Sequence, residues 1–527
     1  MANVFQGRSL NVIEDFSINE RRYFFRKVKE LKDAIVSGDA KTQDQFRIND
    51  PDFGIYSVFL ENSTRTKESF KNAAKFHHAK VSELLTSSSS ITKGESFADT
   101  FNMVSGYQNS LFIVRSTVEG LTKWLSEETA VYTKRNGLPY TPAFINAGDG
   151  KHEHPTQELL DEFTFLEDND MSFDSIHLAL VGDLYHGRTI NSKADGLKVF
   201  DRVKVDLIAP DELQMQEGYV EKMRQNGFEL RFFSSIEEYL QQSDISDKWY
   251  FTRPQLERMG ERILQKQDEL RKSITFRHEF SDKVRPGTKF YHPLPRHKEH
   301  PTIPTWLDGT EFNGWERQSI NGYYCRIALI ALLTGTIGDD YVPAENKISV
   351  TEEEYIHEVT ERKPKAQTNY SEGIRPIKNG LVIDHICKGE SPLEIRKHMN
   401  LISRVMGLDD YRGGQWISCG HDGQYKGLLF RPDAPELQHR DLKRLAAAAP
   451  GSTLNIIKDG AVYKKYRATL PPRIYDFDDL CCRNDACITH PANAENVPAK
   501  FVRTPDGKFA CAYCGRVHSF KEIWKKL

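Results

Sequence analysis

The sequence predicts an α/β protein built in series: two doubly wound parallel-sheet subdomains, then a small α+β domain, then a C-terminal metal-binding β domain. Three observations predict it. From residue 1 to about 335, short apolar runs alternate with longer stretches of helical periodicity. Residues 336–372 then turn polar, with prolines at Pro343 and Pro364, and five of the eight cysteines crowd between Cys481 and Cys514. A chain of 527 residues is too long for one core, given roughly 100–200 residues per domain. The expected divisions are 1–150, closed by a helix near 315–335, then 151–310, a linker at 336–372, 373–470 and 471–527.

Composition narrows the function. Seventy-two basic residues against 75 acidic ones leave a net charge of −3, which implies no general polyanion-binding surface and argues against nucleic acid as the main partner. The first residues, MANVFQGRSLNV, lack a basic segment leading into an apolar core, and no apolar run approaches the ~20 residues that span a bilayer. A cytoplasmic location is expected.

In the first subdomain, Gly54 to Leu60 (GIYSVFL) reads as a short buried strand, and Phe70, Ala73, Ala74 and His77 recur at helical spacing. Ser63-Thr64-Arg65-Thr66 therefore falls where a helix begins, and unpaired N–H groups, three hydroxyls and a guanidinium there make a cradle for a phosphate dianion. A plain N-cap at Ser63 or Thr64 is the competing reading, weakened by Arg65 inside the turn. The serine run Thr86 to Ser90, followed by Thr92-Lys93-Gly94-Glu95, reads by composition as a solvated loop, or alternatively as an arm whose Ser89 and Lys93 reach a phosphate.

The other candidate polar residues also follow apolar runs, at the strand ends where parallel sheets gather their sites. Arg115 closes LFIVR, His154 and Gln157 follow FINAGDG, Arg188 follows IHLALVGD, and Arg253 with Gln255 follows KWYFT. His292-Pro293-Leu294-Pro295-Arg296 is a tight loop in which Leu294-Pro295 is a candidate cis bond, a plain proline-rich turn being the alternative. Tyr323 to Leu333 reads as a buried helix closing the unit, and the acidic stretch around Glu352 to Lys363 as one exposed helix within the linker. Beyond the linker, KNGLVIDHI opens the smaller domain. Cys482-x4-Cys487 and, 23 residues further, Cys511-x2-Cys514 supply two pairs of thiolates, the spacing of a closed structural zinc site. Cys481 is a rival for Cys482, and His490 and His518 lie nearby.

The run Ser63-Thr64-Arg65-Thr66-Lys67 resembles the carbamoyl-phosphate signature of the transcarbamylases, with Lys67 where the family carries a second arginine; the charge stays and the planar fork is lost. NAGDG-x3-HPTQ-x-L-x-D, RPQLERM and HPLPR resemble the aspartate-specific branch rather than the ornithine-specific one. The resemblance implies transfer of the carbamoyl group of carbamoyl phosphate to L-aspartate in pyrimidine biosynthesis. Ser63, Thr64, Arg65, Thr66 and Arg115 would hold the phosphate, with Ser89 and Lys93 from a neighbouring subunit of a trimer. Thr66, Arg115 and His154 would face the carbonyl oxygen, Gln157 and the carbonyls of Pro293 and Leu294 the carbamoyl amide, and Arg188, Arg253, Gln255 and Lys93 the aspartate.

The smaller domain resembles the regulatory chain of aspartate transcarbamylases, which implies effectors of the CTP or ATP type near Lys378, Asp384, His385, Asn455, Ile457, Val462 and Lys465; Gly460 stands where that pattern has a tyrosine. The family register gives Cys482, Cys487, Cys511 and Cys514 as ligands of a structural zinc. Assembly as one trimer or two is left open. Two other functions compete: a transcarbamylase for another amino acid, and a non-catalytic nucleotide-sensing scaffold. The latter has no reason to hold Arg65, Lys93, Arg115, His154, Arg188 and Arg253 together. A zinc-ribbon nucleic-acid binder conflicts with the near-neutral charge.

Overall fold

A computed structural model describes residues 3–84, 94–255, 265–343, 354–360, 377–420 and 422–524, apart from the side chain of Arg188. The chain forms two compact units, Met1–Asn346 and Lys347–Leu527.

The first unit contains two parallel sheets. One has the order β2-β1-β3-β4, from β1 (Gly54–Phe59), β2 (Lys80–Glu83), β3 (Ser110–Ser116) and β4 (Ala143–Asp149). The other runs β7-β6-β5-β8-β9, from β5 (Ser175–Val181), β6 (Arg202–Ile208), β7 (Glu229–Phe233), β8 (Lys248–Phe251) and β9 (Lys289–Tyr291). Every residue of β3 and β4 is buried, as expected of central strands covered on both faces. In each sheet the winding reverses once, between β1 and β3 and between β5 and β8. Such reversals open a crevice beyond the strand C-termini, and these crevices receive the loops singled out in the sequence.

The helix Trp315–Leu333 is longer than its apolar run and returns to the first sheet, packing on the helices Ile18–Ser37, Thr64–Phe76 and Pro155–Glu167. Its interior faces are buried almost all round, from Cys325 to Leu333, so it acts as a core element of the unit. A buried Arg21–Glu162 pair at 3.0 Å ties Ile18–Ser37 to Pro155–Glu167.

The second unit holds a six-stranded antiparallel sheet in the order β10-β15-β14-β11-β13-β12: β10 (Ile356–Glu358), β11 (Gly380–Ile386), β12 (Gly414–Cys419), β13 (Tyr425–Pro432), β14 (Thr453–Lys458) and β15 (Ala461–Ala468). Helices Pro392–Val405 and His439–Ala448 accompany it, and four short antiparallel strands, β16 (Arg473–Ile474), β17 (Phe501–Arg503), β18 (Phe509–Cys511) and β19 (Val517–His518), form the C-terminal sheet. The expected linker needs one correction. Within 336–372, Ile356–Glu358 is an edge strand paired antiparallel with β15 and not part of an exposed helix. The reason is that β15 offers an unpaired edge, and backbone ladder bonds there outweigh the helical propensity of the neighbouring glutamates. Of the rest of the stretch read as an exposed helix, 354–355 and 359–360 are not helical, and 352–353 and 361–363 lie outside the described residues.

Candidate functional site

The expected phosphate cradle lies between a strand that ends and a helix that starts. β1 stops at Phe59, and the helix Thr64–Phe76 begins five residues later with Ser63 at its N-cap. The Ser63 side chain makes no capping hydrogen bond, so the plain N-cap reading does not describe it, and the hydroxyl is left for another acceptor. Thr66 is buried while Thr64 and Arg65 are exposed.

Arg115, at the end of β3, is buried and held on both sides: Nη1 donates to the Ala147 carbonyl at 3.0 Å and Nη2 pairs with Glu61 at 3.1 Å. His154, at the N-terminus of Pro155–Glu167, presents Nε2 to Thr66 Oγ1 at 3.5 Å and Nδ1 to Thr156 Oγ1 at 3.3 Å. Thr66, Arg115 and His154 thus meet at one point beside the cradle. Gly148 makes this possible. A Cβ there would lie 2.8 Å from Arg115 Nη1 and 3.2 Å from His154 Cδ2, and its φ of +113° suits glycine.

Beyond the second sheet, Arg188 opens the short helix Arg188–Asn191; its side chain lies outside the described atoms, as do Ser89 and Lys93. Asp183 knits the loops of this crevice together. It accepts from the Gln255 amide N–H at 2.8 Å and the His186 amide N–H at 2.9 Å, while Gln255 Nε2 donates to the His186 carbonyl at 3.2 Å. Gly182 permits the approach, since a Cβ there would stand 2.5 Å from the Thr252 carbonyl.

His292 joins the two crevices. It is buried, and burial together with the charges of Arg296, Arg65 and Arg253 pushes its pKa down to about 3. The ring therefore stays neutral amid three guanidiniums, one following β1 and one following β8. Its Nδ1 accepts from Leu294 N–H at 2.8 Å, shaping the loop in which Leu294-Pro295 is cis and Leu294 adopts φ 51°. Lys67, by contrast, pairs with Glu83 on β2 at 2.8 Å.

In the second unit, Asn455 stands opposite Val382 and Lys465, and Ile457 opposite Val462, on adjoining strands. At the bulged end of β11, Asp384 receives Lys426 at 3.1 Å, and the charges of Lys426, Lys388 and Lys465 add to burial in lowering the pKa of His385 against the opposing pull of Asp384. Sequence reasoning missed Lys426 and Lys388, which act here beside the register shift between Ile383 and Ile386. Lys378 lies near the opposite end, its carbonyl accepting from Gly460 N–H at 2.7 Å. Asp459 and Gly460, with φ 50° and 78°, form the two-residue turn from β14 to β15, and this conformation explains glycine where the family pattern has tyrosine.

Cys482, Cys487, Cys511 and Cys514 are all buried, with sulfur atoms within 4.8 Å of one another. Cys482–Cys514 and Cys487–Cys511 are 3.6 and 3.8 Å apart, close to the roughly 3.8 Å edge of a tetrahedron with Zn–S bonds of about 2.3 Å. Cys481 is turned aside, its thiol donating to the Cys482 carbonyl, and His490 Nδ1 accepts from the Ala492 amide. Four thiolates leave no open position, so this is a structural zinc centre. His518 Nε2 lies 3.3 Å from Cys482 Sγ and Thr489 Oγ1 3.4 Å from Cys487 Sγ, as outer supports.

Four family descriptions match in series: the carbamoyl-phosphate-binding domain of aspartate/ornithine carbamoyltransferases at residues 8–167, their aspartate/ornithine-binding domain at 174–333, and the allosteric and metal-binding domains of the aspartate carbamoyltransferase regulatory chain at 372–469 and 472–524. Protein PyrBI of Treponema denticola is 62% identical over 99% of both chains, and Protein PyrBI of Thermotoga maritima is 49% identical over 99% of this chain and 100% of that one. Among solved structures, the aspartate transcarbamoylase of Trypanosoma cruzi in complex with N-(phosphonacetyl)-L-aspartic acid aligns with a TM-score of 0.53 at 26% identity, covering 63% of this chain and 97% of that one. The catalytic subunit of M. jannaschii aspartate transcarbamoylase aligns with a TM-score of 0.52 at 26% identity, covering 63% of this chain and 98% of that one. The chain belongs to the aspartate carbamoyltransferase family, in the form that carries catalytic and regulatory regions on one polypeptide.

Proposed function

We propose that the first unit transfers the carbamoyl group of carbamoyl phosphate to L-aspartate, giving N-carbamoyl-L-aspartate and phosphate, and that the second unit carries a nucleotide effector site. The observation that carries the reading is the meeting of Thr66, Arg115 and His154 beside the Ser63–Thr66 helix start, with the charges of Arg65 and Arg253, which follow strands of the two sheets, both bearing on buried His292. Two anions brought to one cleft need cations from both sides.

In this reading Ser63, Thr64, Arg65, Thr66 and Arg115 bind the phosphate, joined by Ser89 and Lys93 of a neighbouring copy in a trimer. The aspartate amine attacks the carbonyl carbon. Negative charge gathers on the carbonyl oxygen, where Thr66, Arg115 and His154 meet, and preorganised donors of this kind supply several kcal/mol in a closed site. The C–O bond to phosphate then breaks, and the departing phosphate accepts the amine proton, so His154 serves as a hydrogen-bond donor and not as a base. Gln157 and the carbonyls of Pro293 and Leu294 take the carbamoyl NH2. Arg188, Arg253, Gln255 and Lys93 receive the aspartate carboxylates, Gln255 being held on Asp183.

For the effector, Lys388, Lys426 and Lys465 around His385 suit a polyphosphate, with Asp384, Asn455, Ile457 and Val462 along the adjoining strands and Lys378 before β11, at the opposite end. The deciding experiment is steady-state transfer by the purified chain, titrating aspartate at saturating carbamoyl phosphate with and without CTP or ATP. Carbamoyl-aspartate formation and a nucleotide-shifted curve are expected. A folded chain that forms no carbamoyl-aspartate would overturn the transfer reading, and active enzyme with an unshifted curve and no nucleotide binding would overturn the effector reading.

A further inference from the structure

Gln157 has two chemically opposite ends, and the end that faces the cleft decides what it recognises. Its Nε2 donates to Asp161 Oδ1 at 2.9 Å, one helical turn further along Pro155–Glu167. Asp161 is fully buried, and four donors from four elements meet its carboxylate. Gln157 and the Gln318 Nε2, at 2.6 Å, share Oδ1; the Tyr250 hydroxyl, at 2.7 Å, and the Lys193 ammonium, at 2.8 Å, share Oδ2. A carboxylate only accepts, and four donors fill its lone pairs. The amide nitrogen of Gln157 must therefore face Asp161, which leaves Oε1 as its outward end. The same carboxylate has a second arm. Gln318, with its nitrogen on Asp161, accepts at Oε1 from the backbone N–H of His292 at 2.8 Å, and His292 opens the Pro293-Leu294 loop.

We propose that Asp161, acting through Gln157 and Gln318, is the positioning residue that makes the acyl-donor pocket select an NH2 group over a methyl group. This rests on the carbamoyl-transfer reading above. A carbamoyl NH2 brings two donors, and an acyl methyl brings none. Gln157 Oε1 and the carbonyls behind His292 form a wall of acceptors that the first satisfies and the second leaves unpaired. A site built to pair a substrate N–H discriminates strongly against the analogue that lacks it, provided its acceptors cannot turn away. Asp161 prevents that turning on both sides of the pocket.

The test compares the KM for carbamoyl phosphate with the competitive inhibition constant of acetyl phosphate, in which methyl replaces the NH2, using the full-length chain. In the wild type, Asp161→Asn and Gln318→Leu, the discrimination ratio is expected to fall in both variants by at least about tenfold. Tyr250→Phe touches only the Oδ2 side and is the control for mere loosening: its melting temperature drops while its ratio stays within about twofold of wild type. Adding Asp161→Asn to Gln157→Ala should lower the ratio less than Asp161→Asn does alone. If Asp161→Asn does not fold, Gln318→Leu decides by itself. An unchanged ratio in Gln318→Leu and Asp161→Asn, or an equal fall in Tyr250→Phe, would reduce Asp161 to a structural group and overturn the proposal. A wild-type chain that forms no carbamoyl-aspartate would instead sink the transfer reading, and this inference with it.

Discussion

The Lys67 ammonium lies 2.8 Å from the Glu83 carboxylate, across the gap between the cradle helix and the edge strand β2. Glu83 also holds Lys71 at 2.5 Å, so the basic residue that departs from the family pattern is occupied outside the cradle. The pair is partly exposed, and exposed pairs contribute about 0–1 kcal/mol. We predict that Lys67→Ala leaves turnover within a few-fold of wild type, whereas Arg65→Ala lowers kcat by at least about a hundredfold. Steady-state kinetics on both variants checks this; a Lys67→Ala enzyme as impaired as Arg65→Ala would return Lys67 to the phosphate site.

Arg253 follows β8, on the side of the cleft assigned to the second substrate. Arg253→Ala is expected to raise the KM for aspartate by one or two orders of magnitude, roughly the 1.5–3 kcal/mol of a charge-assisted hydrogen bond. Carbamoyl phosphate binding should change little. Calorimetric titration with each ligand separates the two, and equal losses for both would remove Arg253 from the aspartate site.

Removal of the metal should act on folding and not on chemistry, because the four buried thiolates enclose the ion. One zinc per chain is expected by elemental analysis. Chelation, or Cys487→Ser, should unfold the C-terminal sheet and expose its thiols to alkylation. Retained zinc and an unchanged melting curve in Cys487→Ser would exclude Cys487 as a ligand.

His77 gives a pH dependence whose sign can be stated. It is buried, and burial, with Arg47 nearby, lowers its pKa to about 4 despite the hydrogen bond of its ring to the Ile327 carbonyl at 3.1 Å. The unfolded histidine titrates near 6.5. Between those values the unfolded chain binds a proton that the native chain does not, so the stability supplied by neutral His77 is complete above pH 6.5 and declines as pH falls toward 4. The stability advantage of wild type over His77→Gln should therefore shrink across that window, by an amount on the order of a few kcal/mol at its lower end. Urea denaturation at several pH values measures it, and a constant difference would exclude the linkage.

Lys426 reaches Asp384 at 3.1 Å and bears on His385. Lys426→Ala is predicted to weaken nucleotide triphosphate binding about tenfold while leaving unstimulated transfer intact. Equilibrium dialysis with CTP or ATP checks the first part and initial rates the second. Undiminished nucleotide binding would place the phosphates elsewhere.

The fold was legible where local pattern and global topology agree. Alternating apolar runs and helical stretches located the parallel strands, and Arg115, His154 and Arg253 could be singled out because each follows a strand whose C-terminus faces a crevice. The zinc ligands were legible for a different reason: their pairing is local in sequence. Asp161 shows what stays hidden. It stood in a recognised spacing, yet its partners Lys193, Tyr250 and Gln318 lie 32, 89 and 157 residues away, on elements that only the assembled sheets bring together. Lys426 was missed because a bulge in β11 changes the register on which a strand alignment depends. The strand at Ile356–Glu358 was misread because an edge partner, and not propensity, decides its conformation.

Gly148 carries the least chemistry of any residue at the site and sets one of its tightest tolerances, with Arg115 and His154 closing over the space a side chain would take. An inherited glycine-to-alanine change at this codon would add a single methyl and alter no charge, donor or acceptor, yet it would drive apart the two groups that the transfer reading sets against the reacting carbonyl. Its lesion would look like the loss of a catalytic side chain in an enzyme that still possesses all of them.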